Sequence, residues 1–215
     1  MRTSLASALV CAVMFAALAS GAPIVIVSNL GETPAGIDVG GLNVGAQSFT
    51  TGGTAVILQD VVLDLLGSGG AVDISLFSDN SGLPGSSLLS LGTLTPTGSG
   101  FGDYIATGTY ELAEASTYWV VVDYLGAPSW GWTASTAYTG TGTLDALTNS
   151  YDGGTIWNPP YPDNPYLLEV DATATPEPSG LVLISIGIGV MLLVKRRVGI
   201  RLSLEEVQRT TITAR

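Results

Sequence analysis

The sequence predicts a mainly β fold, in which residues 23–171 form a jelly-roll-like β-sandwich between two apolar terminal segments. Short runs of β-branched and aromatic residues, which favour strands, recur along this region. Clusters of Gly, Ser, Asn and Asp separate these runs and are typical of turns. A region of about 150 residues buries roughly 70% of its unfolded surface, so it can form a core without disulfides.

The N-terminal segment, residues 1–22, has the three features of a secretory signal peptide. Arg2 supplies the positive start, residues 5–18 are apolar, and small residues surround Ala19 and Ala22, after either of which we predict cleavage. Because the one cysteine, Cys11, would be removed, the mature chain would carry no disulfide and no thiolate ligand.

Two segments of the body carry the strongest strand patterns. Residues 72–76 alternate between apolar and polar side chains, so they should have one buried face. Residues 118–124 are continuously β-branched or aromatic and predict a central strand covered on both faces, with Trp119 in the core. Further strands are predicted at 24–27, 46–50, 56–65, 108–112, 130–133 and 166–171, and turns at 67–70, 79–82 and 152–154.

An apolar segment and a basic cluster follow the body. Residues 179–194 are uncharged and would span about 24 Å as a helix, which is shorter than the roughly 30 Å hydrocarbon core of a bilayer. Lys195, Arg196 and Arg197 follow directly and should stay on the cytoplasmic side. Residues 179–197 are therefore predicted to form a single transmembrane helix with its basic flank, and a buried core helix is the alternative.

This C-terminal arrangement resembles the PEP-CTERM sorting signal of bacteria. Its three elements occur in order: Pro176, Glu177 and Pro178, then the apolar segment, then the basic cluster. The resemblance implies that the exported protein is held in the membrane until an exosortase-type enzyme cleaves near the motif and passes it to the surface. The chain departs from the pattern in its tail, residues 198–215, because such signals usually end soon after the basic cluster.

The body resembles the exported domains called choice-of-anchor domains, in particular choice-of-anchor R. Three segments carry the resemblance: residues 74–85, residues 112–121 and the motif Trp130-Gly131-Trp132. The resemblance implies an exported β-domain that is carried by different anchors. It implies no activity and no catalytic residues.

The charge distribution restricts the possible partners. Residues 21–178 contain sixteen of the eighteen acidic residues and none of the seven basic ones. Such a body should repel nucleic acid and anionic lipid, because phosphate binding depends on Lys and Arg. Divalent cations or basic proteins fit better, although the acidity can also serve solubility alone.

The composition also limits the possible chemistry. The chain has no histidine, which excludes a Ser-His-Asp triad and His-ligated metals. A body without lysine excludes a lysine base or Schiff base. A pair of carboxylates, as in glycoside hydrolysis, is the enzymatic chemistry that remains.

Aromatic residues give the best candidates for a ligand site. Trp130 and Trp132 lie two residues apart, so in a strand they share a face and could stack on sugar rings; the alternative is that they fill the core. The same platform could include Trp119, Trp157, Tyr151, Tyr161 and Tyr166. Asp79 and Asn80 offer oxygen ligands for Ca²⁺, with a plain Asx turn as the alternative.

These observations predict an exported protein, anchored in the inner membrane with its ectodomain outside the cytoplasm, and possible transfer to the cell surface or medium after processing. A structural or adhesive, non-enzymatic role in the envelope or extracellular matrix fits them best. The alternatives are a carbohydrate-binding module that takes an extracellular polysaccharide and, third, a glycosidase-like enzyme. The predicted organisation is signal peptide 1–22, ectodomain 23–171, linker 172–178, transmembrane segment 179–197 and cytoplasmic tail 198–215.

Overall fold

The computed structural model of the protein describes residues 21–39, 44–67, 70–97, 99–126 and 128–175. These residues form two antiparallel sheets, as the predicted mainly β fold requires. The strands are β1 (Pro23–Ser28), β2 (Gly36–Val39), β3 (Val44–Thr50), β4 (Val56–Leu66), β5 (Val72–Asp79), β6 (Pro84–Leu94), β7 (Phe101–Leu112), β8 (Thr117–Tyr124), β9 (Ser129–Trp132), β10 (Thr143–Ser150) and β11 (Leu168–Ala174).

The first sheet is built around the long strand β4. One edge of β4 pairs with β7 along its whole length. The other edge pairs with β11, which in turn pairs with β1. Beyond the end of the β11 ladder, Leu65 and Leu66 of β4 pair with β9, and β9 pairs with β2. This sheet therefore has the order β1-β11-β4-β9-β2, with β7 beside β4.

The second sheet has the order β10-β3-β8-β5-β6. Its central strand is β8, which pairs with β3 on one side and with β5 on the other. The hairpin of β5 and β6 closes with a turn in which Ser81 and Gly82 both have positive φ, at 57° and 85°. Two positive φ values in a two-residue loop are typical of a type I′ hairpin turn, whose twist suits antiparallel strands.

The main core lies between the two sheets. Val72, Ile74 and Leu76 of β5 are fully buried in it, as the alternation of residues 72–76 predicts. Leu58 and Leu63 of β4 meet them from the first sheet in the same cluster. Burial of such apolar area is the main favourable term in the stability of the domain.

A second apolar cluster covers the opposite face of the second sheet. Trp119, which is 1% exposed, packs there with Val121 and Ala46, and Trp157 from the loop after β10 lies against them. The indole Nε1–H of Trp119 donates to the carboxylate of Asp79 at 2.9 Å. Strand β8 is therefore covered on both faces, and the prediction that Trp119 is a core residue is confirmed.

The strand predictions are right for the segments that became β1, β3, β4, β5, β8, β9 and β11, with shifts of one to three residues at their ends. The predictions missed β2, β6, β10 and the first half of β7. All four lie at the edge of a sheet, where a strand has a neighbour on one side only. Edge strands bury less, so their sequences carry a weaker apolar pattern.

Two buried amide side chains bind the backbone of Tyr166 just before β11, and one of them, Gln47, comes from the second sheet. The Gln47 Oε1 atom accepts the backbone N–H of Tyr166 at 3.0 Å, and its Nε2 donates to the Ala146 carbonyl at 3.2 Å. Asn29 Nδ2 donates to the Tyr166 carbonyl at 3.0 Å, while its Oδ1 accepts the Leu168 N–H at 2.8 Å. Both polar groups of the Tyr166 backbone are thus satisfied by side-chain amides, although they lie too deep for water.

Several predicted elements lie outside the described residues: most of the signal peptide 1–22, the sorting motif Pro176, Glu177 and Pro178, the segment 179–197 with its basic cluster, and the tail 198–215. A membrane-spanning helix is not found in the part of the chain that is described.

We expect Gln47→Met to lower the free energy of unfolding by about 1–3 kcal/mol, because a side chain of similar volume would leave the buried Tyr166 N–H without its acceptor. Urea unfolding followed by tryptophan fluorescence measures this change. Gln59→Met is the matched control, since Gln59 is only half-buried and donates to the Ile57 carbonyl and the Thr173 hydroxyl at 3.4 and 3.2 Å. Equal losses in both variants would show that the Gln47 amide has no special role.

Candidate functional site

The described part of the chain contains a groove at the open edge of the two sheets, which we call the edge groove. The loop after residue 158 forms one wall of it and is fixed to both sheets. Tyr161 exchanges backbone hydrogen bonds with Leu147 of β10, at 2.8 and 2.9 Å. Further along, the Pro165 carbonyl accepts the N–H of Thr133, which follows β9, at 3.0 Å. The loop therefore connects β10, an edge strand of the second sheet, to the end of β9 in the first sheet.

The edge groove has a volume of about 330 Å³. Its lining combines aromatic rings, apolar side chains and short polar ones: Trp132, Tyr161 and Tyr166; Ile37, Leu147 and Pro162; Asn149, Asp163 and Asn164. Small-ligand sites are usually apolar grooves with a few placed polar groups, and this groove has that composition.

Of the two tryptophans predicted for a ligand face, Trp132 lines the edge groove. It is half-buried and packs at the margin of the main core. Its cross-strand partner is Gly36, and a Cβ atom at position 36 would lie only 2.5 Å from the indole ring. The absence of a side chain at Gly36 therefore lets the ring lie against the β2 backbone, which fixes its position.

Trp130 does not belong to an exposed ligand face, and this part of the prediction is contradicted. Its side chain is 0% exposed, and its ring stacks on Tyr166 at 4.2 Å between centroids with 9° between the planes. The indole Nε1–H donates to the Leu167 carbonyl at 2.9 Å. Trp130 pairs with β4 on one side and β2 on the other, so it lies inside the sheet, whereas Trp132 lies at the end of β9.

Asp79, a candidate Ca²⁺ ligand, is occupied by protein donors. Its carboxylate accepts the Gly82 N–H at 3.1 and 3.2 Å as well as the Trp119 indole. The backbone of the neighbouring candidate, Asn80, pairs with Leu83 across the turn. The arrangement is an Asx-type turn, the alternative that the sequence left open. The described residues contain no group of three or more His, Cys, Asp or Glu side chains placed to hold a metal.

Carboxylates face each other across neighbouring strands of the first sheet, a feature that the sequence predictions missed. Asp171 of β11 is the cross-strand partner of Asp60, and Glu169 lies two residues away on the same face. Burial, the charges of Glu169 and Asp60, and hydrogen bonds with them raise the pKa of Asp171 from 3.8 to about 6. No lysine or arginine in residues 21–178 can offset this repulsion.

The same arrangement occurs twice more. Asp64 opposes Asp103 across β4 and β7, and burial, followed by the Asp103 charge, raises the pKa of Asp64. Asp123 opposes Asp73 across β8 and β5, and burial, followed by the Asp73 charge, raises the pKa of Asp123. The strand register was needed to find these pairs, because their members are distant in sequence.

The pair Asp73 and Asp123 also lines a second groove, which we call the sheet-face groove. It has a volume of about 340 Å³ and is lined by Phe77 and Trp157 as well. A pair of carboxylates is what the glycosidase hypothesis requires. One hydroxyl already engages the pair, since Thr93 Oγ1 donates to Asp73 at 2.5 Å.

Comparison with known proteins gave no relative: no protein-family model matches the chain, and no curated protein matches it significantly. The resemblances to PEP-CTERM signals and choice-of-anchor domains therefore stay predictions.

We expect Asp171→Asn to raise the melting temperature at pH 7.5 by about 2–4 °C, the shift that about 1 kcal/mol produces in a domain of this size. Because the folded pKa of about 6 lies above the ordinary 3.8, the folded state retains a proton that the unfolded state releases. The free energy of unfolding therefore falls as the pH rises from about 4 to 6.

The pH dependence provides the check. At pH 4 the gain from Asp171→Asn should vanish, since Asp171 is already protonated in the folded protein. Glu114→Gln, which removes an exposed carboxylate from the turn between β7 and β8, should leave the pH profile unchanged. A stabilisation that is independent of pH would contradict the explanation by charge repulsion.

Proposed function

We propose that the protein is an exported, membrane-anchored component of the cell surface or extracellular matrix, with a non-enzymatic structural or adhesive role. The observation that carries the proposal is the order of its segments: a signal peptide, a β-domain, the motif Pro176 to Pro178, an apolar segment and a basic cluster. An exosortase-type enzyme is the processing partner that this order implies, and the membrane holds the chain until cleavage.

The domain in this proposal is a jelly-roll-like β-sandwich. Its strand order supports this assignment: the first sheet contains β1-β11-β4-β7 and the second β3-β8-β5-β6. These eight strands pass between two antiparallel sheets in the manner of two Greek keys, which is the jelly-roll pattern. Strands β2, β9 and β10 extend the sheets at the side where the edge groove lies.

The surface charge fits a role outside the cytoplasm. Fifteen acidic residues and no basic one lie in residues 21–175. Such a domain repels copies of itself and anionic polymers, and it attracts divalent cations and basic proteins. An adhesive contact should therefore form through neutral or cationic partners, and nucleic acid is not among them.

Carbohydrate binding is the second candidate function. The edge groove favours it, because Trp132 and Tyr161 present aromatic rings beside amide and carboxylate groups. A glycosidase-like enzyme is the third candidate and would have to use Asp73 and Asp123 in the sheet-face groove. Release of reducing sugar from a polysaccharide, lost in Asp123→Asn, would favour the enzyme over both other functions.

We expect deletion of residues 181–215 to release the exported domain into the periplasm or the medium, because the apolar segment that holds it would be gone. Fractionation after a carbonate wash measures this. Deletion of residues 198–215 alone is the control and should leave the protein in the membrane, since the apolar segment and the basic cluster remain. If the protein that lacks residues 181–215 still fractionates with membranes, the anchor proposal is wrong.

A further inference from the structure

We infer that the edge groove binds a single uncharged pyranose unit of a polysaccharide. This inference rests on the second candidate function, carbohydrate binding, and gives it a site and a ligand class. It does not depend on the membrane anchor, so this inference and the anchor proposal are tested by different experiments and can fail independently.

The size of the groove favours one sugar ring. Its volume of about 330 Å³ lies at the lower end of the roughly 300–1,000 Å³ that small-ligand sites occupy. The groove also opens at the sheet edge, where the half-buried Trp132 and the 53% exposed Tyr161 both meet solvent. A terminal or branching unit of a longer chain can therefore enter while the rest of the chain stays outside.

The lining has the two kinds of group that a pyranose needs. Aromatic faces at Trp132 and Tyr161 suit its C–H surface, since such rings bury apolar area while keeping a polar edge in water. Asn149 keeps hydrogen-bonding capacity for hydroxyl groups: its Oδ1 accepts one bond, from Asn158, and its Nδ2 donates one, to Tyr151, whereas an amide can accept two and donate two. Asn164 and Asp163 add further polar atoms at the rim.

The groove is formed before any ligand arrives. The paired backbone bonds of Tyr161 with Leu147, and the Thr133 bond to Pro165, hold the loop at both ends. The backbone of Gly36 fixes one side of the Trp132 ring. A site that is already ordered loses little conformational entropy on binding, so a small contact area can still give measurable affinity.

The charge of the site restricts the ligand to uncharged sugars. Asp163 is the charged residue in the lining, and residues 21–178 contain no lysine or arginine. Uronic acids and sulfated sugars carry anions that need such cations for recognition. They would instead meet the negative potential of the whole domain.

The test measures retention of the full-length chain on immobilised polysaccharides, in a detergent without a sugar headgroup so that the detergent cannot occupy the groove. The neutral probes are a β-glucan, a mannan and a galactan, and the anionic probes are alginate and hyaluronan. We expect binding to at least one neutral probe and to neither anionic one.

Substitutions then locate the site. Trp132→Ala and Tyr161→Ala should each weaken binding by about tenfold or more, which corresponds to about 1.4 kcal/mol. Tyr161→Phe, which keeps the ring, should retain most of the affinity. Tyr138→Ala removes a 40% exposed ring outside the groove and should change the affinity by less than about twofold. Since Tyr161 is exposed, its variant tests the site even if Trp132→Ala impairs folding.

Three outcomes would overturn the inference. If the protein binds no neutral probe, this inference is wrong, and so is the second candidate function, carbohydrate binding. Binding to the anionic probes alone would show that the ligand is not an uncharged sugar. Binding that survives both Trp132→Ala and Tyr161→Ala in folded protein would preserve carbohydrate binding but move it elsewhere, for example to the sheet-face groove beside Trp157.

Discussion

The hydrogen bonds that the Gln47 and Asn29 amides make to the backbone of Tyr166 are the interactions on which the rest of the domain depends. They satisfy the backbone N–H and carbonyl of Tyr166, a backbone unit that enters the core from the loop before β11. With that unit fixed, Tyr166 stacks on Trp130, β11 begins in register beside β4, and the loop reaches β10 through Tyr161. The core between the sheets and the wall of the edge groove thus share one neutral, buried polar network.

A neutral network is what this composition allows, because the domain has carboxylates but no cations to pair with them. The consequence appears on the sheets, where Asp60 meets Asp171, Asp64 meets Asp103 and Asp73 meets Asp123 across neighbouring strands. Like charges in that position destabilise a sheet. The strand register keeps these carboxylates opposed without a cation between them, so the acidity of the surface comes at some cost in stability. An acidic surface of this kind favours solubility and contact with cations.

How far the sequence predicts this structure depends on where each segment lies. Residues 72–76 and 118–124 were predicted correctly because a central strand is covered on its faces, and burial forces a regular apolar pattern. Strands β6 and β10 were missed because most of their side chains are only partly buried or exposed, so they carry a weak apolar pattern, and β2 is only four residues long. The periodicity of β9 placed Trp130 and Trp132 on one face, but it could not show that Tyr166 covers Trp130. That contact joins residues 36 positions apart, and only the tertiary fold brings them together.

The charge and the packing of the two outer faces bear on why the candidate ligand site lies at the edge of the sheets. The outer face of the first sheet bears the opposed carboxylates Asp60 and Asp171, and Trp157 packs on an apolar cluster on the outer face of the second. At the edge, one ring can pack against the core while meeting solvent, and Trp132 does both. A loop that is held between both sheets can then add Tyr161 without disturbing the core, so ligand contacts can change there while the fold stays the same.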